Sequence, residues 1–237
     1  MRSATAGCWK EESSFTAYIF IYRPAFRSSD SKAANSIKKA RRFSSENMSE
    51  YRLQFQADRS LALTLVPFGP VGQEDLKHLA SVLSGKGMYV MIAKERPVPA
   101  EAFNSRRQQY RGDDFLKIAR SEPGDRVLAV TNCDLYADNL NFVFGLADSL
   151  GKCAVISFVR LRIGADEAKF RRRAVKEAVH ELGHTFGLSH CTEPWCVMYF
   201  SNSLRDTDRK GTDWCEGCEN KLQRDRGHAP RTQDFGG

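Results

Sequence analysis

Three of the five histidines in the chain lie close together in the segment from residue 178 to residue 200. His180 and His184 are four residues apart, and His190 follows shortly after them. The surrounding sequence, DEAKFRRRAVKEAVHELGHTFG, has apolar side chains at steps of three and four, which predicts an amphipathic helix. Residues four apart on a helix share one face, so both imidazoles can reach one ion. The spacing therefore predicts a metal site.

A glycine and a glutamate complete the predicted metal site. Gly187 is free to take a positive φ, so we expect it to end the helix and to let His190 turn back toward the first two histidines. Three neutral imidazoles leave a fourth position open and make a bound zinc ion strongly Lewis acidic, as in hydrolytic centres. Glu181 lies beside the histidine pair and can reach a water without being a ligand, so we interpret it as the general base.

Four cysteines follow the histidines in two short pairs. Cys191 and Cys196 are separated by four residues, and Cys215 and Cys218 by two. Such pairs are typical of a four-thiolate structural zinc site, and the alternative is one or two disulfide bonds. Because the chain shows no clear secretion signal, we favour zinc and a reducing, cytoplasmic compartment. Cys191 directly follows His190, so a metal held by the cysteines would also fix the third histidine.

The elements that must position these residues alternate between strands and helices. Short apolar runs predict strands at 61–69, 88–95 and 126–132. Helical spacing predicts helices at 72–87 and 103–119. The next two apolar runs, LNFVFGLAD and CAVISFVRLR, are separated only by SLGK, which predicts an antiparallel hairpin. The predicted fold is α+β, with a mixed, mostly parallel sheet and an antiparallel hairpin at its edge.

The first part of the chain differs in composition from the rest. Residues 1–47 hold nine Lys or Arg against four Asp or Glu, which is +5 of the total net charge of +7. We predict that residues 1–57 form a disordered basic arm. The change in composition at Met48 favours the hypothesis that translation starts there and that the arm is a non-native upstream extension. The nearly neutral remainder disfavours a nucleic-acid-binding protein.

Composition also bounds the remaining classes of function. No apolar run approaches the ~20 residues of a membrane span, so we expect no membrane partner. No internal repeat is visible, and a monomer is the default expectation. The other histidines and two further cysteines are interpreted as structural or solvated; they are His78, His228, Cys133 and Cys153.

These motifs carry a family resemblance. HELGHTFGLSH, followed by Met198 in CVMYF, resembles the metzincin metallopeptidases, in which a Met-turn lies beneath the zinc. The run of histidine, cysteines and methionine is similar to the archaemetzincin family in particular, and so are LVPFG, NFVFGLA and CVMYFSNS. The resemblance covers about residues 61–218 and leaves out the arm. It implies two zinc ions, with catalytic-zinc ligands His180, His184 and His190, general base Glu181, structural-zinc ligands Cys191, Cys196, Cys215 and Cys218, and Met-turn residue Met198.

The resemblance also implies an architecture for a catalytic domain at 58–237. An upper αβα subdomain, as in other zincins, would span 58–187. A small zinc-bound lower subdomain at 188–218 would close the cleft, and 219–237 would be a tail. The edge strand NFVFGLAD would line the cleft, where an extended peptide could add to it through main-chain hydrogen bonds.

Two details depart from the family's pattern. The gap from Met198 to Cys215 is one residue shorter than the family's spacing, which indicates loop variation rather than a lost ligand. Tyr199 directly follows Met198, whereas the zinc-binding tyrosine of some other metzincins lies two residues after the methionine. We therefore assign Tyr199 no metal role.

The sequence thus predicts a zinc metallopeptidase that acts on peptides or unstructured, unfolded segments of proteins. Glu181 would take a proton from the zinc-activated water and return it to the leaving amine. The alternative is a catalytically weak or inactive zinc-containing protein that binds peptides or serves as a scaffold. The intact Glu181 favours the peptidase, because a pure binder has no need of a base at that position.

Overall fold

A computed structural model describes residues 18–22, 41–42, 61–149 and 151–227. Its strands, in chain order, are β1 (Tyr18–Tyr22), β2 (Arg41–Arg42), β3 (Leu61–Phe68), β4 (Met88–Ile92), β5 (Phe103–Asn104), β6 (Gln109–Arg111), β7 (Arg126–Thr131), β8 (Leu135–Tyr136), β9 (Gly145–Ala147) and β10 (Cys153–Ser157). Seven of them form the central sheet in the order β2-β1-β4-β3-β7-β10-β9, and β5, β6 and β8 form a small second sheet.

The middle of the central sheet is parallel, as predicted. β3 pairs in parallel with β4 and with β7, and β7 pairs in parallel with β10. β3 is buried along nearly its whole length, which is typical of a parallel strand covered on both faces. The three strands predicted in this region are confirmed, and each ends one to three residues earlier than predicted.

Helices cover both faces of the sheet. The helices are α1 (Gln73–Gly85), α2 (Gly112–Ala119), α3 (Phe158–Leu161), α4 (Glu167–Thr185), α5 (Leu204–Arg209) and α6 (Glu216–Gly227). Leu128 and Val130 of β7 join a core with α1 and α4, whereas Val127 and Ala129 join a second core with α2. This alternation follows from the two-residue period of a strand. The predicted αβα layering is confirmed.

The predicted antiparallel hairpin lies at one edge of the sheet. β9 pairs antiparallel with β10, with Leu146 opposite Val155. The second run of the hairpin is a strand only as far as Ser157. The hydroxyl of Ser157 accepts the amide hydrogen of Val159 and begins α3, so the rest of that run is helical.

The first half of the helix predicted at 103–119 is wrong. Residues Ala100–Ala102 form a 3-10 turn, β5 and β6 pair as a short hairpin, and α2 is the only helical part. Asn104 explains the difference, because its side-chain carbonyl accepts the amide hydrogens of Arg106 and Arg107. Gln108 then takes a positive φ of 55°. These local bonds compete with helical ones and form a turn.

The predicted arm and the predicted tail each contain a described element of secondary structure. β1, which lies within the predicted arm, pairs antiparallel with β4 on one side and with β2 on the other. The remainder of the arm, including Met48, lies outside the described residues, and so does His228. α6 runs through the predicted boundary at residue 218, and Leu222 is buried in the main core. Through Leu222, α6 packs against the main core.

Within the described ranges, none of the helices is both long enough and apolar enough to cross a membrane.

Candidate metal centres

A single long helix, α4, carries two of the three histidines and the glutamate. Asp166 caps its first turn, because its side chain accepts the amide hydrogen of Lys169 at 2.7 Å. The apolar face of the helix is buried against the sheet and α1. Just beyond the helix, Gly187 has a φ of +84°, a conformation that glycine adopts without steric cost. This turn confirms the predicted end of the helix and directs the chain toward His190.

The structure brings His180, His184 and His190 together. One ligand nitrogen from each lies within 4.8 Å of the other two. The Nε2 atoms of His180 and His184 are 3.2 Å apart. The centroid of the His190 ring lies 5.3 Å from that of His180 and 4.9 Å from that of His184. Nitrogen ligands around a tetrahedral zinc ion, at ~2.1 Å from it, are about 3.4 Å apart. The three side chains therefore fit a single zinc ion.

Hydrogen bonds fix the tautomers of the two helical histidines. Nδ1 of His180 lies 2.8 Å from the carbonyl of Val197, and Nδ1 of His184 lies 2.7 Å from the carbonyl of Leu188. A carbonyl only accepts, so each Nδ1 carries the proton and donates it. Both Nε2 atoms are then unprotonated and face each other, an arrangement that repels unless a cation lies between them. This donor set fits a metal ion.

The surroundings keep the three histidines neutral. Burial, followed by the charge of Lys210, lowers the pKa of His180 to about 2. Burial is also the main cause that lowers the pKa values of His184 and His190 below the ordinary range. The neutral imidazole is the form that binds a metal, so all three side chains are available as ligands near neutral pH.

Glu181 is buried beside the histidines, with 5% of its surface exposed. Burial, followed by the neighbouring carboxylate of Glu177, raises the pKa of Glu181 well above its ordinary value, and Lys210 acts in the opposite direction. A raised pKa makes a carboxylate a stronger base, which suits a group that must accept a proton in general acid–base chemistry.

Gly145, in the edge strand β9, lies directly against Glu181. A Cβ added at Gly145 would lie 2.5 Å from Cγ of Glu181 and 2.8 Å from its Oε1. A glycine at this position leaves the room that the glutamate side chain occupies. The edge strand of the sheet and the buried carboxylate are therefore in contact.

Met198 packs against α4 at Gly183, the residue that directly precedes His184. Its side chain is fully buried, and a Cβ added at Gly183 would collide with its sulfur. The preceding residue, Val197, is the one whose carbonyl accepts the hydrogen bond from His180. The segment around Met198 therefore contacts both α4 and the ring of His180.

The four cysteines of the two pairs form a second cluster. The sulfur of Cys191 lies 3.8 Å from that of Cys215, and the sulfur of Cys196 lies 3.8 Å from that of Cys218. These distances are far longer than a disulfide bond of about 2.05 Å. They match the separation of about 3.8 Å between thiolates around a tetrahedral zinc at ~2.3 Å. The amides of Met198 and Cys215 donate to the sulfur of Cys196, so the cluster fits a zinc ion.

A backbone contact joins the two clusters. Cys191 directly follows His190, and its amide donates to the carbonyl of Met198 at 2.9 Å. Cys191 also forms an isolated parallel bridge with Tyr199. The position of the third histidine therefore depends on the same strand-like pairing that holds the first cysteine.

Two buried charged residues next to the histidines were missed by sequence reasoning. Glu177 is 4% exposed and Lys210 is 2% exposed. Nζ of Lys210 lies 3.3 Å from Nδ1 of His180 and 3.7 Å from Oε2 of Glu177. Glu177 precedes Glu181 by four residues, and this spacing is a signal that they share a helix face. Lys210 has no comparable signal in the sequence.

The remaining singletons lie outside both clusters. His78 is half-buried on α1. Cys133 and Cys153 are free thiols, and burial raises the pKa of each. Neutral thiols with a raised pKa are poor nucleophiles and poor ligands.

Comparison with protein families supports the arrangement of these clusters. The family model described as peptidase family M54 matches residues 77–224. This range includes every residue of both clusters, together with Glu181 and Met198.

Individual relatives and solved structures agree with the family match. The chain is 41% identical over 172 residues to the archaemetzincin of Methanocaldococcus jannaschii, which covers 70% of this chain and 95% of the relative. Its fold is similar to the crystal structure of archaemetzincin from Methanopyrus kandleri, with a TM-score of 0.65, 40% identity, and coverage of 71% and 96% of the two chains. It is also similar to the archaemetzincin of Archaeoglobus fulgidus complexed with malonate, with a TM-score of 0.63, 38% identity, and coverage of 68% and 99%.

Proposed function

The chain belongs to peptidase family M54, the archaemetzincins, and is a zinc metallopeptidase; from this premise we propose that it hydrolyses peptide bonds at the three-histidine centre. In this proposal His180, His184 and His190 hold the catalytic zinc, and Glu181 is the general base. The observation that carries the proposal is the convergence of three neutral imidazoles beside a buried carboxylate. The family relationship does not favour the alternative of a binding protein without activity.

The residues of the three-histidine centre have separate roles in the proposed reaction. His180, His184 and His190 would hold a zinc ion, which when bound would supply Lewis acidity toward water and the scissile carbonyl. Glu181 takes a proton from the water and later returns it to the leaving amine. The hydrogen bonds from Nδ1 of His180 and His184 to backbone carbonyls hold the two rings in place.

The edge strand is the proposed binding surface for the substrate. Among the described strands, β9 is the last of the central sheet and pairs with β10 on one side. An extended peptide added to the other side would run past Glu181, because Gly145 of β9 contacts that residue. This geometry suits peptides and unstructured protein segments rather than folded domains.

The cysteine cluster is proposed to hold a second, structural zinc ion. Four thiolates close the coordination shell, so such an ion offers no open position for chemistry. Its role would be to hold Cys191, and through it His190 and Met198, the proposed Met-turn residue. The four cysteines are not joined by disulfide bonds. This favours a reducing compartment, since an oxidising one would promote disulfide formation.

A cleavage assay on the full chain tests the proposed reaction. The zinc-loaded protein is incubated with a diverse library of unstructured peptides, and new termini are identified by mass spectrometry. We expect cleavage that stops after chelation and returns when zinc is added back. The absence of new termini, with two zinc ions per chain shown by metal analysis, would contradict the proposal.

A further inference from the structure

A buried lysine lies behind the metal-binding face of the three-histidine centre. Lys210 directly follows α5, and its side chain is 0% exposed. Lysine is almost never fully buried without a partner, because removal of the ammonium group from water is costly. The proposed reaction makes no use of this charge. Its burial beside His180 therefore needs a separate explanation.

The ammonium group of Lys210 contacts three groups from different parts of the chain. Nζ lies 3.3 Å from Nδ1 of His180, 3.5 Å from the carbonyl oxygen of Tyr199 and 3.7 Å from Oε2 of Glu177. Two of these groups belong to α4, and the third follows Met198 directly. Lys210 thus lies where the active-site helix meets the segment that supports the histidines.

The contact with His180 is not a hydrogen bond from the ammonium group. Nδ1 of His180 donates to the carbonyl of Val197 at 2.8 Å, so it has no lone pair left to accept. Lys210 donates instead to the carbonyl oxygen of Tyr199 at 3.5 Å, and it forms an ion pair with Oε2 of Glu177 at 3.7 Å. The ammonium group therefore lies beside the Nδ1 edge of the imidazole ring. Nε2, on the opposite edge, faces His184.

Glu177 is the counterion that offsets the cost of burying the charge of Lys210. It is 4% exposed, and among the described residues Lys210 is the cation with which it forms an ion pair. Without Lys210, Glu177 would be a buried carboxylate one turn from the second buried carboxylate, Glu181. Without Glu177, Lys210 would be an unpaired buried cation next to a proposed zinc ligand. Each charge of the pair accounts for the burial of the other.

We propose that Lys210 is a positioning residue of the three-histidine centre, which backs the ring of His180 and, paired with Glu177, keeps Nε2 of His180 directed at the shared ligand position. This inference rests on the proposed function, because it takes His180 as a zinc ligand. Residues that orient the ligands of a metal typically change its affinity by about 10–100-fold when they are replaced.

The decisive variant replaces both partners. A single Lys210→Met change would also alter the net charge beside the metal, whereas Glu177→Gln with Lys210→Met leaves the net charge unchanged. Replacement of a buried ion pair by uncharged side chains of similar volume usually preserves folding. Lys176→Met is the matched control, because Lys176 is a buried lysine of α4 that bonds to the carbonyls of Thr207 and Asp208 and not to His180.

The readouts are zinc affinity and the tautomer of His180, measured on the full chain. Competition with chelators of graded affinity gives the dissociation constant of each zinc ion, and long-range proton–nitrogen NMR of zinc-free protein reports which ring nitrogen carries the proton. We expect the double variant to bind zinc at the histidines about tenfold more weakly, with the cysteine-bound ion unaffected. The Nδ1-protonated form of His180 should still predominate, because its bond to the carbonyl of Val197 is retained, so the weaker affinity would report the position of the ring and not a change of tautomer.

Two results would overturn the inference. One is a zinc affinity of the double variant within about twofold of the parent's, and the other is an equal loss in Lys176→Met, which would indicate general destabilisation. Neither readout depends on peptide cleavage. A parent that binds zinc and cleaves peptides while the double variant is unchanged defeats this inference alone, whereas a parent without zinc at the histidines defeats the proposed function as well.

Discussion

A side chain at Gly145 and the carboxylate of Glu181 would occupy the same space. An added Cβ would lie 2.5 Å from Cγ and 2.8 Å from Oε1 of Glu181. The proposed substrate-binding strand and the proposed base therefore meet without an intervening side chain. The close approach explains how a peptide on the edge strand would come within reach of the base.

Gly145→Ala should lower kcat, because the added methyl group must displace the carboxylate of Glu181. A misplacement of about 1 Å in a catalytic group can reduce the rate by about 100-fold, and we expect a loss of 10–100-fold with both zinc ions retained. Gly85→Ala is the control, since nothing lies within 4 Å of its added Cβ. Steady-state kinetics on one peptide from the library measures the effect. An unchanged kcat in Gly145→Ala would show that the position of the Glu181 carboxylate does not depend on the absence of a side chain at residue 145.

Cys191→Ser should weaken the three-histidine centre as well as the cysteine cluster. Cys191 directly follows His190, and its amide bonds to Met198, so loss of metal at the cysteines frees the third histidine. We expect a loss of about tenfold or more in zinc affinity at the histidines, by analogy with other residues that orient ligands. Cys133→Ser, at a free thiol outside the cluster, is the control. Chelator competition that finds the histidine-bound zinc unchanged would contradict the coupling.

The ion pair between Arg173 and Asp208 should make stability depend on acid pH. The bond from Arg173, which is 3% exposed, is the main cause that lowers the pKa of Asp208 from 3.8 to about 2. A lowered folded-state pKa contributes stability that is present above pH 4 and is lost as the pH falls toward about 2. Asp208→Asn should therefore lower the free energy of unfolding by about 2 kcal/mol at pH 7.

Urea unfolding at several pH values measures this contribution. The difference between the parent and Asp208→Asn should shrink between about pH 4 and pH 2, because the parent then loses the same charge. Glu74→Gln is the control, since Glu74 lies in an exposed pair with Lys77 that contributes little. A difference that stays constant over this range would show that the carboxylate charge is not the stabilising group.

Much of the fold and of both clusters is predictable from local spacing. The four-residue step from His180 to His184 is set by the helix, and the turn at Gly187 is set by backbone conformation, so both are visible in the sequence. The short link between β9 and β10 similarly allows only a hairpin. These features depend on neighbours in the chain, which is why their geometry could be anticipated.

The features that were missed depend on particular side chains or on distant contacts. The side-chain bonds of Asn104 turn the start of a predicted helix into a hairpin, although the apolar period there suits a helix. Lys210 reaches His180 across 30 residues of chain. The contact of Gly145 with Glu181 likewise joins a strand to a helix that follows it. Such contacts are fixed by packing and leave no periodic pattern.

The most direct test of the proposed mechanism is the kcat of Glu181→Gln compared with that of the parent full chain, with zinc counted in both. Glutamine keeps the shape of the side chain against Gly145 and removes only its ability to accept the proton. Loss of a general base typically lowers the rate by about 100- to 10,000-fold, and we predict a fall in this range with two zinc ions retained. Equal cleavage by the two proteins at equal zinc content would contradict the assignment of Glu181 as the base.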